Sequence, residues 1–261
     1  MATVRRVVAP NPGPFTGPGT NTWLLGDGRV LAVIDPGPDD ERHLAALQQA
    51  VGAGAVAVVL VTHSHADHQE LAERFASLHN ARLAHYPELG DGDVVRAGTM
   101  NLVALHTPGH APDHLAYWMP EDRVLFTGDL ILGRGSSMVT YPEGDVAAYL
   151  HSLDRVAELQ PRVLFPGHWD PVMEAGAKIT EYREHRLARE RQIVEELSAG
   201  GAGSAGELTE RVYTAELTAA AGAREQLVRA AEMTLRAHLR KLVAEGRVSE
   251  KDDRFSLAVQ P

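Results

Sequence analysis

Apolar and polar positions alternate in short bursts through the first 175 residues, and these bursts set the predicted elements. Residues 21–25 and 29–34 flank Gly26-Asp27-Gly28 and predict a β-hairpin, closed by Asp35-Pro36-Gly37. Leu44, Leu47 and Val51 are spaced as one face of a helix over 39–51. The run Ala-Val-Ala-Val-Val-Leu-Val at 55–61 is short, β-branched and preceded by Gly54, which predicts a buried strand. Leu71, Phe75 and Leu78 predict a helix over 66–78. Further strands are expected at 82–85, 100–105, 114–119, 123–126 and 162–165, with a helix over 146–159 before the last. Tyr117, Trp118 and Met119 fall within one strand and are expected in the core. Residues 10–20 contain four prolines and predict a stiff loop, either a connector or a flap beside a site. Strands with helices interposed favour an α/β fold of two sheets covered by helices over a simple alternating parallel sheet.

The pattern changes beyond residue 175. A long charged helix is expected over 174–198, closed by Ala199-Gly200-Gly201-Ala202-Gly203 as a flexible linker. A short helix candidate follows at 204–213. A longer helix over 225–244 places Leu227, Ala231, Leu235, Leu239 and Leu242 on one face. Residues 246–257 then predict a hairpin with a charged tip, and helices followed by such a hairpin look like a winged helix. The expected organisation is a catalytic domain over 1–175, a connecting helix and Gly-rich linker over 176–203, and a winged-helix-like domain over 204–261.

The chain has 261 residues, 44% of them hydrophobic, which is ample for a core. Its formal net charge of -10 argues against polyanion binding driven by overall charge. Residues 181–261 carry 13 Lys and Arg against 14 Asp and Glu, out of 25 and 35 in the whole chain, so the acidity lies in the first part. The absence of cysteine removes disulfides and thiolate ligands from consideration and is compatible with a reducing compartment. Residues 1–10 lack the apolar centre of a signal peptide and no run approaches membrane-spanning length, so a cytoplasmic protein without membrane partners is expected.

Chemistry is concentrated in Thr62-His63-Ser64-His65-Ala66-Asp67-His68, three imidazoles and a carboxylate at the exit of the predicted strand 55–61. Neutral imidazole and carboxylate are the ligands a borderline divalent ion accepts. Three more strand ends each deliver one candidate ligand: Thr107-Pro108-Gly109-His110, Phe126-Thr127-Gly128-Asp129 and Phe165-Pro166-Gly167-His168. In each, a glycine allows the backbone to crowd close to a site. His114 is a candidate proton donor or a partner of a ligand, with a satisfied structural histidine as the alternative. His43, His79, His85, His106, His151, His185 and His238 match no ligand pattern.

With these residues in view, the chain resembles the metallo-β-lactamase superfamily, whose H-x-H-x-D-H hallmark stands here at 63–68, followed in the family's order by His110, Asp129 and His168. The resemblance implies an αββα sandwich with a two-metal site at one edge. His63, His65 and His110 would bind one ion, Asp67, His68 and His168 the other, and Asp129 would bridge them. Five imidazoles make zinc the first expectation for both ions, with iron or manganese as alternatives. Two such ions lower the pKa of a bridging water from ~15.7 towards ~7, giving hydroxide for hydrolysis, with Asp67 orienting it.

The metal set, Gly-Pro-Gly-Thr-Asn-Thr at 17–22, Gly-Asp-Leu-Ile-Leu-Gly at 128–133, Leu-Arg-Lys-Leu at 239–242 and the winged-helix-like tail are together similar to the lactamase-beta-2-like subgroup, which includes an endoribonuclease. That resemblance implies cleavage of phosphodiester bonds in single-stranded RNA as the leading activity. Thioester hydrolysis of the glyoxalase II kind is the alternative, the partner then being a small acyl or phosphoester substrate. Antibiotic hydrolysis is disfavoured, because those enzymes usually lack a carboxylate at the position of Asp129. A third reading is a nucleic-acid-binding regulator with a vestigial metal site. The C-terminal region is also a candidate surface for a homodimer.

Overall fold

The alternating bursts pair into two mixed sheets. The computed structural model describes residues 3–26, 28–219 and 224–258. The first sheet has the order β1 (Thr3–Val8), β2 (Asn21–Gly26), β3 (Val30–Ile34), β4 (Ala55–Leu60), β5 (Arg82–Ala84). β2 and β3 form the expected antiparallel hairpin, although Asp27 of its turn lies outside the described residues. β3 and β4 run parallel, joined by α1 (Glu41–Val51), whose N-cap Asp40 accepts from the backbone N–H groups of Arg42 and His43.

The second sheet comprises β6 (Val94–Ala97), β7 (Met100–His106), β8 (Leu115–Met119), β9 (Val124–Gly128) and β10 (Val163–Pro166). It is antiparallel except where α4 (Val146–Glu158) carries the chain across to set β10 parallel to β9. Trp23, Leu25, Ile34 and Leu60 of the first sheet meet Leu102, Leu115, Tyr117 and Phe126 of the second in the central core. Tyr117 and Met119 face this core, whereas Trp118, one residue out of phase, faces the helices beyond the sheet. α1 and α3 (Ala72–Leu78) cover the outer face of the first sheet, and α4 with α5 (Ala175–Gly200) cover that of the second. The result is the αββα sandwich.

The helix expected over 66–78 is two helices, α2 (Ala66–Gln69) and α3. The Leu71 N–H leaves the helical ladder and donates instead to Gly37 O at 3.0 Å, which breaks the run where apolar periodicity alone continues it. β1 and β6 were not expected; their exposed faces give weak periodicity, and pairing with β2 and β7 decides them.

The flexible linker over 199–203 is corrected as well. α5 runs through Gly200, and after a turn at Gly201 (φ 70) a short strand, β11 (Gly203–Ser204), pairs with the final hairpin. Ser204 then caps α6 (Ala205–Val212) in a capping box with Glu207. α7 (Thr214–Ala219) and α8 (Arg224–Ala244) follow, and then β12 (Val248–Lys251) and β13 (Arg254–Leu257), turning through Asp252 and Asp253 at positive φ. Ala231, Leu235, Leu239 and Leu242 of α8 pack with Ile193 and Leu197 of α5, while Leu227 is exposed, contrary to the expected face. α5 thus contributes its first half to the sandwich and its last turns to the winged helix. No helix among the described residues is long and apolar enough to cross a membrane.

Candidate metal centre

The strand ends converge at one edge of the sandwich. His63 follows β4, His110 follows β7, Asp129 follows β9 and His168 follows β10, while His65, Asp67 and His68 come from the turn into α2. His63 Nε2 lies 2.9 Å from His65 Nδ1, and His110 Nε2 lies 3.1 Å from the same nitrogen. On the other side, His68 Nε2 and His168 Nε2 stand 3.3 Å apart, and His168 Nε2 is 3.3 Å from Asp67 Oδ2. Asp129 sits between: Oδ1 is 3.5 Å from His68 and 3.4 Å from His168, and Oδ2 is 3.8 Å from His110. All seven residues singled out from the sequence therefore meet in one cluster.

Four of the five imidazoles are held from behind. His63 Nδ1 is 3.0 Å from Thr62 Oγ1, His110 Nδ1 donates to Met138 O at 2.6 Å, and His168 Nδ1 reaches Gly19 O at 3.4 Å. His68 Nδ1 meets Asp35 Oδ2 at 2.9 Å, and Asp35 is itself fixed by the Thr62 N–H at 2.7 Å and the Thr62 hydroxyl at 2.8 Å. These outer bonds aim Nε2 inward and settle the tautomer. His65 alone faces inward through Nδ1.

Two glycines make the crowding feasible. Gly128 has φ 46, and a Cβ there would come within 2.8 Å of Thr62 and His114 Nε2. A Cβ on Gly167 would lie 2.6 Å from both Asp129 Oδ1 and His68 Cε1.

The electrostatics couple two carboxylates to the imidazoles packed around them. Burial alone would raise Asp129, yet the neighbouring His168, His68 and His110 hold its carboxyl well below the usual carboxylate range. Burial opposes a charge on His168, but Asp129 and Asp67 outweigh it and push this imidazole up to about 10. Burial drives His63 well below its ordinary value, helped by repulsion from His68 and His110. Asp129 Oδ1 is buried without a hydrogen-bond partner, and the facing Nε2 atoms of His68 and His168 can share at most one proton.

Among the described residues, three donor sets have candidate ligand atoms within 4.8 Å of one another: His63, His65 and His110; Asp67, His68 and His168; and His63, His68 and Asp129. A neutral-imidazole and carboxylate set around an orphaned oxygen fits divalent cations.

His114 is the exception among the expected catalytic residues. It is fully buried, its Nδ1 lies 2.9 Å from Thr107 Oγ1, and its Nε2 accepts from the Asp129 N–H at 3.1 Å. With both nitrogens engaged behind Asp129 it cannot reach a leaving group, so the proton-donor reading is withdrawn in favour of positioning. Asp35 was missed, although Ile34-Asp35-Pro36-Gly37 repeats the form of the other strand ends. His43, His79, His85, His106 and His151 lie outside the ligand sets, while His185 lines an adjoining cavity and His238 is buried in the winged helix.

A cavity of about 300 Å³ opens over the cluster, walled by Phe15, Leu132, Met138 and Trp169. The proline-rich loop thus lies beside the site, held by a Gly13–Gly17 bridge and by bonds from Asn11 to Thr20. A second cavity of about 360 Å³ shares Phe15, Ser136 and Met138 with the first and extends to α7 and α8.

Residues 15–91 and 72–168 match the metallo-beta-lactamase superfamily, and residues 204–256 match the beta-lactamase associated winged helix domain. The chain is 37% identical to the atrochrysone carboxyl ACP thioesterase of Aspergillus chevalieri, over 74% of this chain and 65% of that protein, so it spans somewhat under two thirds of that relative's length. It is 32% identical to the beta-lactamase-like protein 2 homolog of Caenorhabditis elegans, over 80% of this chain and 76% of that one. A metallo-beta-lactamase family protein from Thermus thermophilus superposes with a TM-score of 0.80 at 25% identity, covering 97% of this chain and 98% of its own. The seven converging His and Asp side chains and these matches agree, and the chain belongs to the metallo-β-lactamase superfamily, with a β-lactamase-associated winged helix at its C-terminal side.

Proposed function

We propose that this protein hydrolyses an acyl thioester at a two-zinc centre held by His63, His65 and His110 on one side and by Asp67, His68 and His168 on the other, with Asp129 between. The observation that carries this reading is a pair of adjoining, largely apolar cavities that meet at Phe15, Ser136 and Met138, one over the centre and the other walled by Leu217, Leu227 and Ala231. An acyl chain lying there gains roughly 25 cal/mol for each Å² of apolar surface removed from water. Divalent ions at the centre would supply Lewis acidity and an acidified water as the nucleophile. Asp67, whose side chain is partly open to the cavity, is placed to orient that water and take its proton.

The leaving group points the same way. A thiolate, with a thiol pKa of about 8.5, departs without a proton donor, whereas the alkoxide of a cleaved phosphodiester is a far stronger base. The side chain expected to serve as donor, His114, is locked behind Asp129. The arginines lining the two cavities are Arg186 and Arg189, both buried, and among the described residues no lysine joins them, which is a poor lining for a chain of phosphates. Single-stranded RNA, the leading substrate on sequence resemblance, therefore becomes the competing reading.

The test is to incubate zinc-loaded protein with hexanoyl-pantetheine and with single-stranded RNA side by side. Release of free thiol with intact RNA is expected. Cleavage of RNA alone would reverse the ranking, and turnover of neither, with RNA retained in a gel shift after metal stripping, would favour the regulator.

A further inference from the structure

α5 places Arg186 on the wall of the second cavity in an unusual state. Its side chain is only 2% exposed, and among the described residues no carboxylate oxygen lies within 4 Å of its guanidinium. One nitrogen donates to Ser137 O, the cation lies 5.1 Å from the Tyr149 ring centre, and Nε is buried without a partner. Arg189, one turn on, is satisfied by contrast: it donates to Glu216 Oε1 at 2.7 Å and to Val212 O at 3.1 Å, and stacks 4.1 Å from Tyr213. The cavity wall thus carries two guanidinium groups against the single carboxylate of Glu216.

A buried cation without a counter-charge is strongly unfavourable, and the unpartnered Nε–H of this guanidinium can donate to an oxygen of a carboxylate or phosphate. The remaining walls, with Leu217, Leu227 and Ala231, offer no other anion partner for it. The two cavities adjoin at Phe15, Ser136 and Met138, which places this wall next to the cavity over the imidazole cluster.

We propose that Arg186 binds an oxyanion on the non-reacting end of the substrate, either a carboxylate ending the acyl chain or a phosphate on the thiol arm, and so selects anionic substrates. The identity of the cleaved bond rests on the thioester reading; the oxyanion site does not.

Arg186 also braces Ser137, whose hydroxyl donates to Asp129 O. A purely structural role would depress all substrates together, so the readout is a ratio. One arm compares the adipoyl thioester of N-acetylcysteamine with its methyl ester; the other compares hexanoyl-phosphopantetheine with hexanoyl-pantetheine. Wild-type zinc-loaded protein should favour the anion by about tenfold or more in kcat/KM in one arm, which identifies the source. R186M should bring that ratio close to one, chiefly through KM, and R186K should leave an intermediate ratio. A wild-type ratio near one in both arms, or a ratio that survives R186M, overturns the proposal, and the wild-type comparison decides even if the variants fail to fold. If no thioester is cleaved, the thioester reading falls alone. Calorimetry of the zinc-loaded protein with adipate and with inorganic phosphate then decides: at least a tenfold weaker affinity in R186M supports the site, and equal affinities overturn it.

Discussion

Asp35 and His68 form a buried pair, with Oδ2 2.9 Å from Nδ1 and both side chains at most 2% exposed. Their elements meet because β3 and β4 run parallel and end level with each other. The carboxylate fixes the imidazole tautomer and points Nε2 at Asp129 and His168. Asp35→Asn should therefore weaken binding of the second metal by about 10- to 100-fold while the fold is kept. Metal titration followed by elemental analysis checks this; unchanged affinity would show that the pair is only structural.

Asp67→Ala removes a proposed metal donor and the more exposed of the two carboxylates lining the cavity. Metal content should fall from two ions per chain towards one, and hydrolysis should drop on the order of 10²-fold or more. Full activity in this variant would sink the assigned mechanism.

Gly167→Ala tests the close approach. A methyl group there would sit 2.6 Å from Asp129 Oδ1, so that carboxylate must shift. Displacements of about 1 Å at a reacting centre can cost on the order of 10²-fold in rate. Circular dichroism should be unchanged while turnover falls by that order; retained turnover would place Asp129 elsewhere.

His238, between α5 and the winged-helix core, is fully buried with neither ring nitrogen hydrogen-bonded, its nearest carboxylate oxygen being 3.9 Å away on Glu190. Burial pushes its value down to about 4, against a weaker pull upward from Glu190, with Arg186 and Arg189 reinforcing the fall. The unfolded chain, near 6.5, binds more protons over this window. Stability from the neutral ring is thus present above about pH 6.5 and is lost as pH falls towards 4. His238→Leu should unfold within about 1 kcal/mol of wild type at pH 7 and be the more stable protein at pH 5. Thermal melts at the two pH values decide it, and a parallel loss in both proteins would place the acid sensitivity elsewhere.

How much of this was legible beforehand differs from residue to residue. His63, His65, Asp67, His68, His110, Asp129 and His168 could be chosen from sequence because a strand end is a local feature: an apolar run leads into the dense His and Asp run at 63–68, and an apolar run, a glycine and a polar residue recur before His110, Asp129 and His168. The order of apolar bursts was likewise enough for the αββα layers, since each burst must bury its face against another. Local patterning carries no information about what faces a residue across the chain. Asp35 behind His68, the enclosure of His114 behind Asp129, the strand made from a glycine-rich stretch and the uncompensated Arg186 all depend on contacts between different elements of the fold. Sequence thus determined which side chains could hold metal and which segments would layer. Tertiary packing alone decided what orients those side chains, because the partners are supplied by strands and helices whose proximity exists only once the two sheets close.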